Sequence, residues 1–253
     1  MVLRYLYYFR HSLDRMSDAF YWPTVDLLLW GLTSSYFRQY TPASSKILLM
    51  IVSGIIFWLI TWRGQYEITV NLLDELWNKN LVNLFVSPLK FSEWIVSVLT
   101  IGVLKGFVSF SFALFMAFIL FKIKLFFFGF YFIPLIILLI MSGWSIGFLV
   151  AGIILRFGTK IQTLAWTGVM IISPFSAIYY PLSILPRWAQ TVAAFVPTSY
   201  VFEGAREIIN KGHLDWNKLL ISLILNLVYL ILALIFIKRS FNKTLEKGLV
   251  KIF

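Results

Sequence analysis

The chain has 253 residues, of which 60% are hydrophobic and only 13% charged, whereas ordinary soluble domains run near 45–50% apolar, glycine included, and about 25% charged. A water-soluble fold of this size has nowhere to put that apolar surface, so the composition excludes a disordered chain, a collagen-like chain and a typical cytosolic enzyme, and makes a bilayer the solvent. The formal charge of +11 flanks apolar runs, which reads as loop charge facing anionic headgroups and argues against nucleic acid as a partner; zero Cys removes disulfides, thiolate metal sites and cysteine nucleophiles.

Residues 1–20 carry Arg4, His11, Asp14, Arg15 and Asp18 at helical spacing, with Leu3, Leu6, Leu13, Met16 and Phe20 largely on the other side. This predicts an amphipathic helix lying in the cytoplasmic interface, too charged to be a signal peptide's apolar region. Trp22-Pro23 is then expected to turn the chain into the first span, since Pro suits a helix's first position. A helix needs about 20 apolar residues to cross a hydrocarbon core about 30 Å thick. Six stretches qualify or nearly so: 21–37, 45–62, 94–121, 125–155, 161–181 and 219–237. The expected fold is therefore an all-α integral membrane protein, with six transmembrane helices in a single domain over 21–253. An even count puts both termini on one side. Thirteen Lys and Arg fall on that side and eight on the other, so the positive-inside rule places both termini in the cytoplasm of a plasma (inner) membrane.

Two charges lie inside these spans, and an intramembrane ionisable residue is by default a functional candidate. Asp26, three residues after Pro23, reads as a first-turn acid that the helix dipole favours. Lys105, roughly mid-span between Gly102 and Gly106, either faces a polar interior or snorkels. Catalytic signatures are missing. No Gly is followed by Lys and then Ser or Thr, so no P-loop is present. Gly143-Trp144-Ser145-Ile146-Gly147 matches the nucleophile-elbow pattern, but the only histidines, His11 and His213, lie outside the spans. Gly143, Gly147 and Ala151 read better as a small-residue stripe for close helix packing. No catalytic residue and no metal site is expected.

After the second span the chain runs Asn71-Leu72-Leu73-Asp74-Glu75-Leu76-Trp77-Asn78-Lys79 and on to Pro88-Leu89. Leu73, Leu76, Trp77 and Leu84 can share an apolar side, with Asp74, Glu75 and Lys79 turned to water. Before the last span come Tyr180-Pro181-Leu182, Leu185-Pro186-Arg187-Trp188, then Pro197, Tyr200, Glu203 and Arg206. Pro181, Pro186 and Pro197 break this apolar stretch into pieces too short to cross. Glu203 and Arg206 stand at i, i+3, a spacing that lets them pair, while Glu203 and Glu207 at i, i+4 repel unless a cation intervenes.

The Pro-Leu-x-x-Leu-Pro-x-Trp element, followed by Pro-x-x-Tyr-x-x-Glu-x-x-Arg, resembles the membrane subunits of ABC-2 type transporters, and the order of interface helix and spans is similar over nearly the whole chain. The resemblance implies a permease subunit of an exporter, with segment 68–89 as a coupling helix whose Asp74, Glu75, Leu76 and Trp77 contact a separate ABC ATPase subunit. It also implies an external re-entrant segment over 182–206, in which Pro181, Leu185, Pro186, Trp188, Pro197, Tyr200, Glu203 and Arg206 form a gate. This chain would bind no cofactor, ATP and Mg sitting on the ATPase. It would work among membrane lipids as a homodimer, or as a heterodimer with a second permease. An ion-driven secondary transporter and an intramembrane enzyme are the alternatives. Drug, lipid, lipid-linked glycan and peptide all stay open as substrate.

Overall fold

The computed structural model describes residues 1–37, 44–81, 83 and 89–246; among them every regular element is helical. Helix α1, Val2–His11, ends where Ser12 turns extended (φ −105°, ψ 108°), and α2 follows as one helix over Leu13–Phe37. The break therefore falls at Ser12 and not at Trp22-Pro23, which α2 passes through. The physical reason lies in a neighbouring helix. Pro23 has no N–H for the Ala19 carbonyl four residues back, and Ser109 donates its hydroxyl to that carbonyl at 2.9 Å instead. Asp26 consequently lies about three and a half turns into α2, not in a first turn.

Helix α3 covers Ser44–Trp77, well beyond the expected end at Trp62, and most of its length is buried among the other helices. Helix α4, Phe91–Phe121, starts with the Lys90 N–H donated to Glu93 Oε2 at 2.9 Å and stops at Lys122, whose φ is 58°. A 3-10 stretch, Leu125–Tyr131, leads into α5, Phe132–Phe157. The small-residue stripe does what its spacing implies. Gly143 of α5 backs onto Gly64 of α3, and a Cβ on Gly143 would lie 2.4 Å from the Thr61 carbonyl oxygen; one on Gly147 would meet the Gln65 Cα at 3.2 Å. Ser145 donates to the Met141 carbonyl, as a helical serine with no catalytic partner does.

The stretch 161–181 forms short turns in place of one helix. Gly158–Ile161, α6 (Leu164–Thr167), Val169–Ile171 and Ser173–Phe175 succeed one another, and Ala177 takes a positive φ of 58°. After Leu182–Ile184 come α7, Arg187–Ala193, and α8, Pro197–Lys211, which Gly212 closes at φ 77° before α9, Trp216–Glu246. Asn226 locks α9 to α5, donating to the Leu138 carbonyl at 3.1 Å and accepting from Ser142 at 2.8 Å. Among the described residues, Lys46–Trp77, Phe91–Phe121, Leu125–Ile161 and Trp216–Glu246 are long and apolar enough to cross a membrane. The protein is an all-helical integral membrane protein.

The α3–α5 crossing makes a sharp comparison. Gly143→Ala should destabilise the protein by about 1–3 kcal/mol through overpacking. Gly106→Ala, whose Cβ would meet only the Arg63 Cβ at 3.9 Å, should stay within about 0.5 kcal/mol of wild type. Thermal unfolding in detergent measures both, and equal midpoints would contradict the close crossing.

Candidate functional site

From Thr61 onward, α3 carries polar side chains at 63, 67, 71 and 75 and at 61, 65 and 69, two stripes with the four-residue spacing of one helix face. The first stripe meets charges from three other helices. Arg63 pairs with Asp18 of α2 at 2.9 Å and donates a second bond to the Asp18 carbonyl at 2.6 Å, while Glu67 lies 3.6 Å away. Lys105 of α4 closes the chain on Glu67 at 2.7 Å, its ammonium 5.0 Å from the centre of the Phe9 ring. The side chains of Arg63 and Glu67 are each 2% exposed. Two cations and two acids in a low-dielectric interior neutralise one another, the condition under which buried charge persists. Lys105 thus faces a polar interior and does not snorkel.

One to two turns further on, Asp74 pairs with Arg15 of α2, and Glu75 with Arg4 of α1 at 2.5 Å. Glu75 also accepts from Asn80 at 2.6 Å and from the Tyr5 hydroxyl at 3.3 Å, and Tyr5 in turn accepts from the Trp94 indole at 3.1 Å. Burial first, and the Glu75 charge second, push the Tyr5 phenol above its usual range, so it stays a neutral hydrogen-bond donor. This corrects the expectation that Asp74 and Glu75 point to water. Glu75 is 1% exposed because α3 has not ended and α1 lies against it. Leu76 is buried as expected, whereas Trp77 is 45% exposed, donates to Gln162 Oε1 at 3.1 Å and stacks beside Trp166. Leu84 of the expected coupling segment lies outside the described residues.

The second stripe stitches the broken segment. Gln65 donates to the Ala165 carbonyl at 2.6 Å and accepts from the Val169 N–H at 3.1 Å, and Thr69 donates to the same carbonyl at 2.9 Å. Non-helical backbone at membrane depth needs such partners.

At the other end of the molecule, Glu203 and Arg206 do pair, at 3.0 Å, and both also hold backbone. Glu203 Oε1 accepts from the Leu182 N–H at 2.8 Å; Arg206 donates to the Ala177 carbonyl and, at 3.2 Å, to that of Ile178. Burial pulls the Arg206 guanidinium below its ordinary value, with Glu203 opposing, and an Arg stays protonated regardless. Glu207 is kept below the usual carboxylate range first by the hydrogen bond from Lys218 of α9, so a cation does compensate its charge. Pro181 and Pro186 precede the short helical pieces in extended backbone, and Leu185 ends the first of them. Pro197 opens α8, Tyr200 donates to the Ala194 carbonyl at 2.9 Å, and Trp188 is 66% exposed with its ring edge-on to Phe175.

Residues 74–77 and 177–206 therefore form two separate clusters. Arg4, Arg15 and Asp18 read in the sequence only as the polar face of an interfacial helix, and Arg63, Gln65, Glu67 and Thr69 carry no sequence signal beyond their four-residue spacing after Trp62. A family model described as ABC-2 type transporter matches residues 10–210, more than half of the chain. No curated protein matches it.

Lys105→Met should cost about 3 kcal/mol by leaving the acids Asp18 and Glu67 to share the single buried cation Arg63. Adding Glu67→Gln should recover most of that loss. Denaturant titration of the single and double variants in detergent measures it, and an additive double would contradict a coupled pair.

Proposed function

The chain belongs to the ABC-2 type transporter family, and on that premise we propose that it is the permease subunit of an exporter that works as a dimer with two copies of a separate ABC ATPase. Family membership makes it a transport permease component, and this family generally works with an ABC ATPase subunit. In this reading α2 from Tyr21 and the broken segment 161–181 complete six crossings, both termini are cytoplasmic and the membrane is the plasma membrane. ATP and Mg bind the partner; this chain supplies the path.

The observation that best supports coupling is the continuity of α3. It runs without a proline from Gly54, where a Cβ would lie 2.6 Å from the Ile178 carbonyl oxygen of the clamped segment, to Trp77 at its far end, about 35 Å away at 1.5 Å per residue. One helix thus bears on both clusters. The burial of Asp74 and Glu75 divides their roles: the exposed Trp77, with Asn78 and Lys79 beside it, meets the ATPase, while Asp74 and Glu75 pass movement on to α2 and α1 through Arg15 and Arg4. At the outer end, Glu203 and Arg206 hold the backbone of a gate formed with Pro181, Leu185, Pro186, Trp188, Pro197 and Tyr200.

Two measurements test this. In the Cys-free chain, Ser12→Cys and Lys243→Cys should resist a membrane-impermeant thiol reagent added outside intact cells and react in inverted vesicles; labelling from outside would overturn the orientation. Trp77→Ala should leave the permease monodisperse yet reduce transport-coupled ATP hydrolysis at least tenfold. Unchanged coupled hydrolysis in that variant would reject the docking role.

A further inference from the structure

Lined by α2, α3, α4 and the broken segment is a cleft of about 160 Å³, and an exposed acid is part of its lining. Its walls include Trp22, Trp58, Trp62, Met170 and Tyr179, and Asp26 lines it with them. Two of these rings are held by stacking: Tyr179 on Trp30 with centroids 4.6 Å apart, and Trp62 on Tyr66 at 4.8 Å. Asp26 itself makes no hydrogen bond or ion pair among the described residues. Its position excludes the helix dipole as compensation, because that field falls off within the first turn and Asp26 lies about three and a half turns in. The contrast with the other acids of this region is plain. Asp18, Glu67, Asp74 and Glu75 each have a cation. Arg63 does stand 4.9 Å from the centre of the Trp62 ring, but Asp18 and Glu67 already neutralise it.

We propose that this cleft binds a monovalent organic cation, with the Asp26 carboxylate as its counter-ion and the rings of Trp22, Trp58 and Tyr179 as its walls. Aromatic faces present negative potential to a cation, and Trp presents the most. An inorganic cation fits poorly, because one carboxylate among indoles cannot supply the several oxygens that such an ion takes. A glycan fits poorly too, since its many hydroxyls would find one carboxylate and few other polar groups to replace water. The volume compares with about 150 Å³ for a cavity that holds benzene, which is enough for a small quaternary ammonium group. Trp22 is 49% exposed, so an apolar body attached to that group can extend past it. Treating the bound cation as cargo rests on the exporter reading; the binding itself does not.

The test uses the full chain in lipid nanodiscs and equilibrium dialysis with radiolabelled tetramethylammonium. Wild type should bind saturably, and Asp26→Asn, which is nearly isosteric, should bind at least tenfold more weakly while eluting as a monodisperse species. Asp26→Glu should keep affinity within about threefold, following the retained charge. Trp22→Ala, at the mouth of the cleft, should weaken binding several-fold and serves as the second variant if Asp26→Asn does not fold. Absence of saturable binding to wild type, or equal binding by Asp26→Asn, overturns the proposal. Failure of an ATPase to bind or couple to the permease, with Asp26-dependent binding intact, would instead count against the exporter reading and leave the cation site standing.

Discussion

Charge cannot stand alone in hydrocarbon, and this constraint organises the half of the molecule around α3. Lipid tails are as apolar as Leu, so burying Leu against Leu gives helices little reason to choose one alignment over another. The ion pairs supply that choice. Along α3 the order Arg63, Asp74, Glu75 is met by Asp18, Arg15 and Arg4 in reverse order along α2 and α1, the pattern of two antiparallel stretches. Lys105 fixes α4 at the level of Glu67 in the same way. Sliding α3 by one turn would leave several acids and bases facing apolar side chains at once, so a network that is weak evidence for raw stability is strong evidence for register.

The same economy governs the backbone. Pro23, the unwound residues near Ala165 and the turn at Ala177 each expose polar main-chain groups, and each is met by a side chain of another helix: Ser109, Gln65 with Thr69, and Arg206. Arg206 explains how a non-glycine residue, Ala177, persists at a φ of 58° within the fifth expected crossing. Because Arg206 holds these carbonyls as well as Glu203, removing Glu203 and Arg206 together would not simply cancel two stranded charges.

Much of this was legible in the residues. Apolar runs above 18 residues located α4, α5 and α9; the glycine stripe marked a close-packing face of α5 without naming its partner; and the i, i+3 spacing allowed Glu203 to pair with Arg206. The misreadings share one cause, which is that the partner that compensates each feature lies far away in sequence. Arg63 to Glu75 looked like the start of a cytoplasmic loop, yet their solvent is the opposite charge on α1, α2 and α4, which no local window reveals. Trp22-Pro23 looked like a helix start because the compensating hydroxyl of Ser109 is far away in sequence. The apolar run from Ile161 looked like a helix because the amide that satisfies its broken backbone belongs to Gln65.

These constraints also decide which parts can move relative to one another. Gly54 and Gly64 are the only glycines within α3, and both are pinned: a Cβ on the first would strike the Ile178 carbonyl, and on the second would meet the Gly143 backbone at 3.2 Å. Helix α3 therefore has no proline and no unpacked glycine along its length, which suits it to the role of a rigid rod in the proposed coupling. Helix α2 is tied to it through Arg15 and Asp18, below Pro23, but Asp26 beyond Pro23 carries no such tie. The proline deletes one hydrogen bond of the helix ladder at that boundary and so weakens resistance to bending there. In the proposed exporter, a displacement of α3 relative to the part of α2 beyond Pro23 would be felt at the cleft that Asp26 shares with Trp58 and Trp62, where no ion pair ties the two helices.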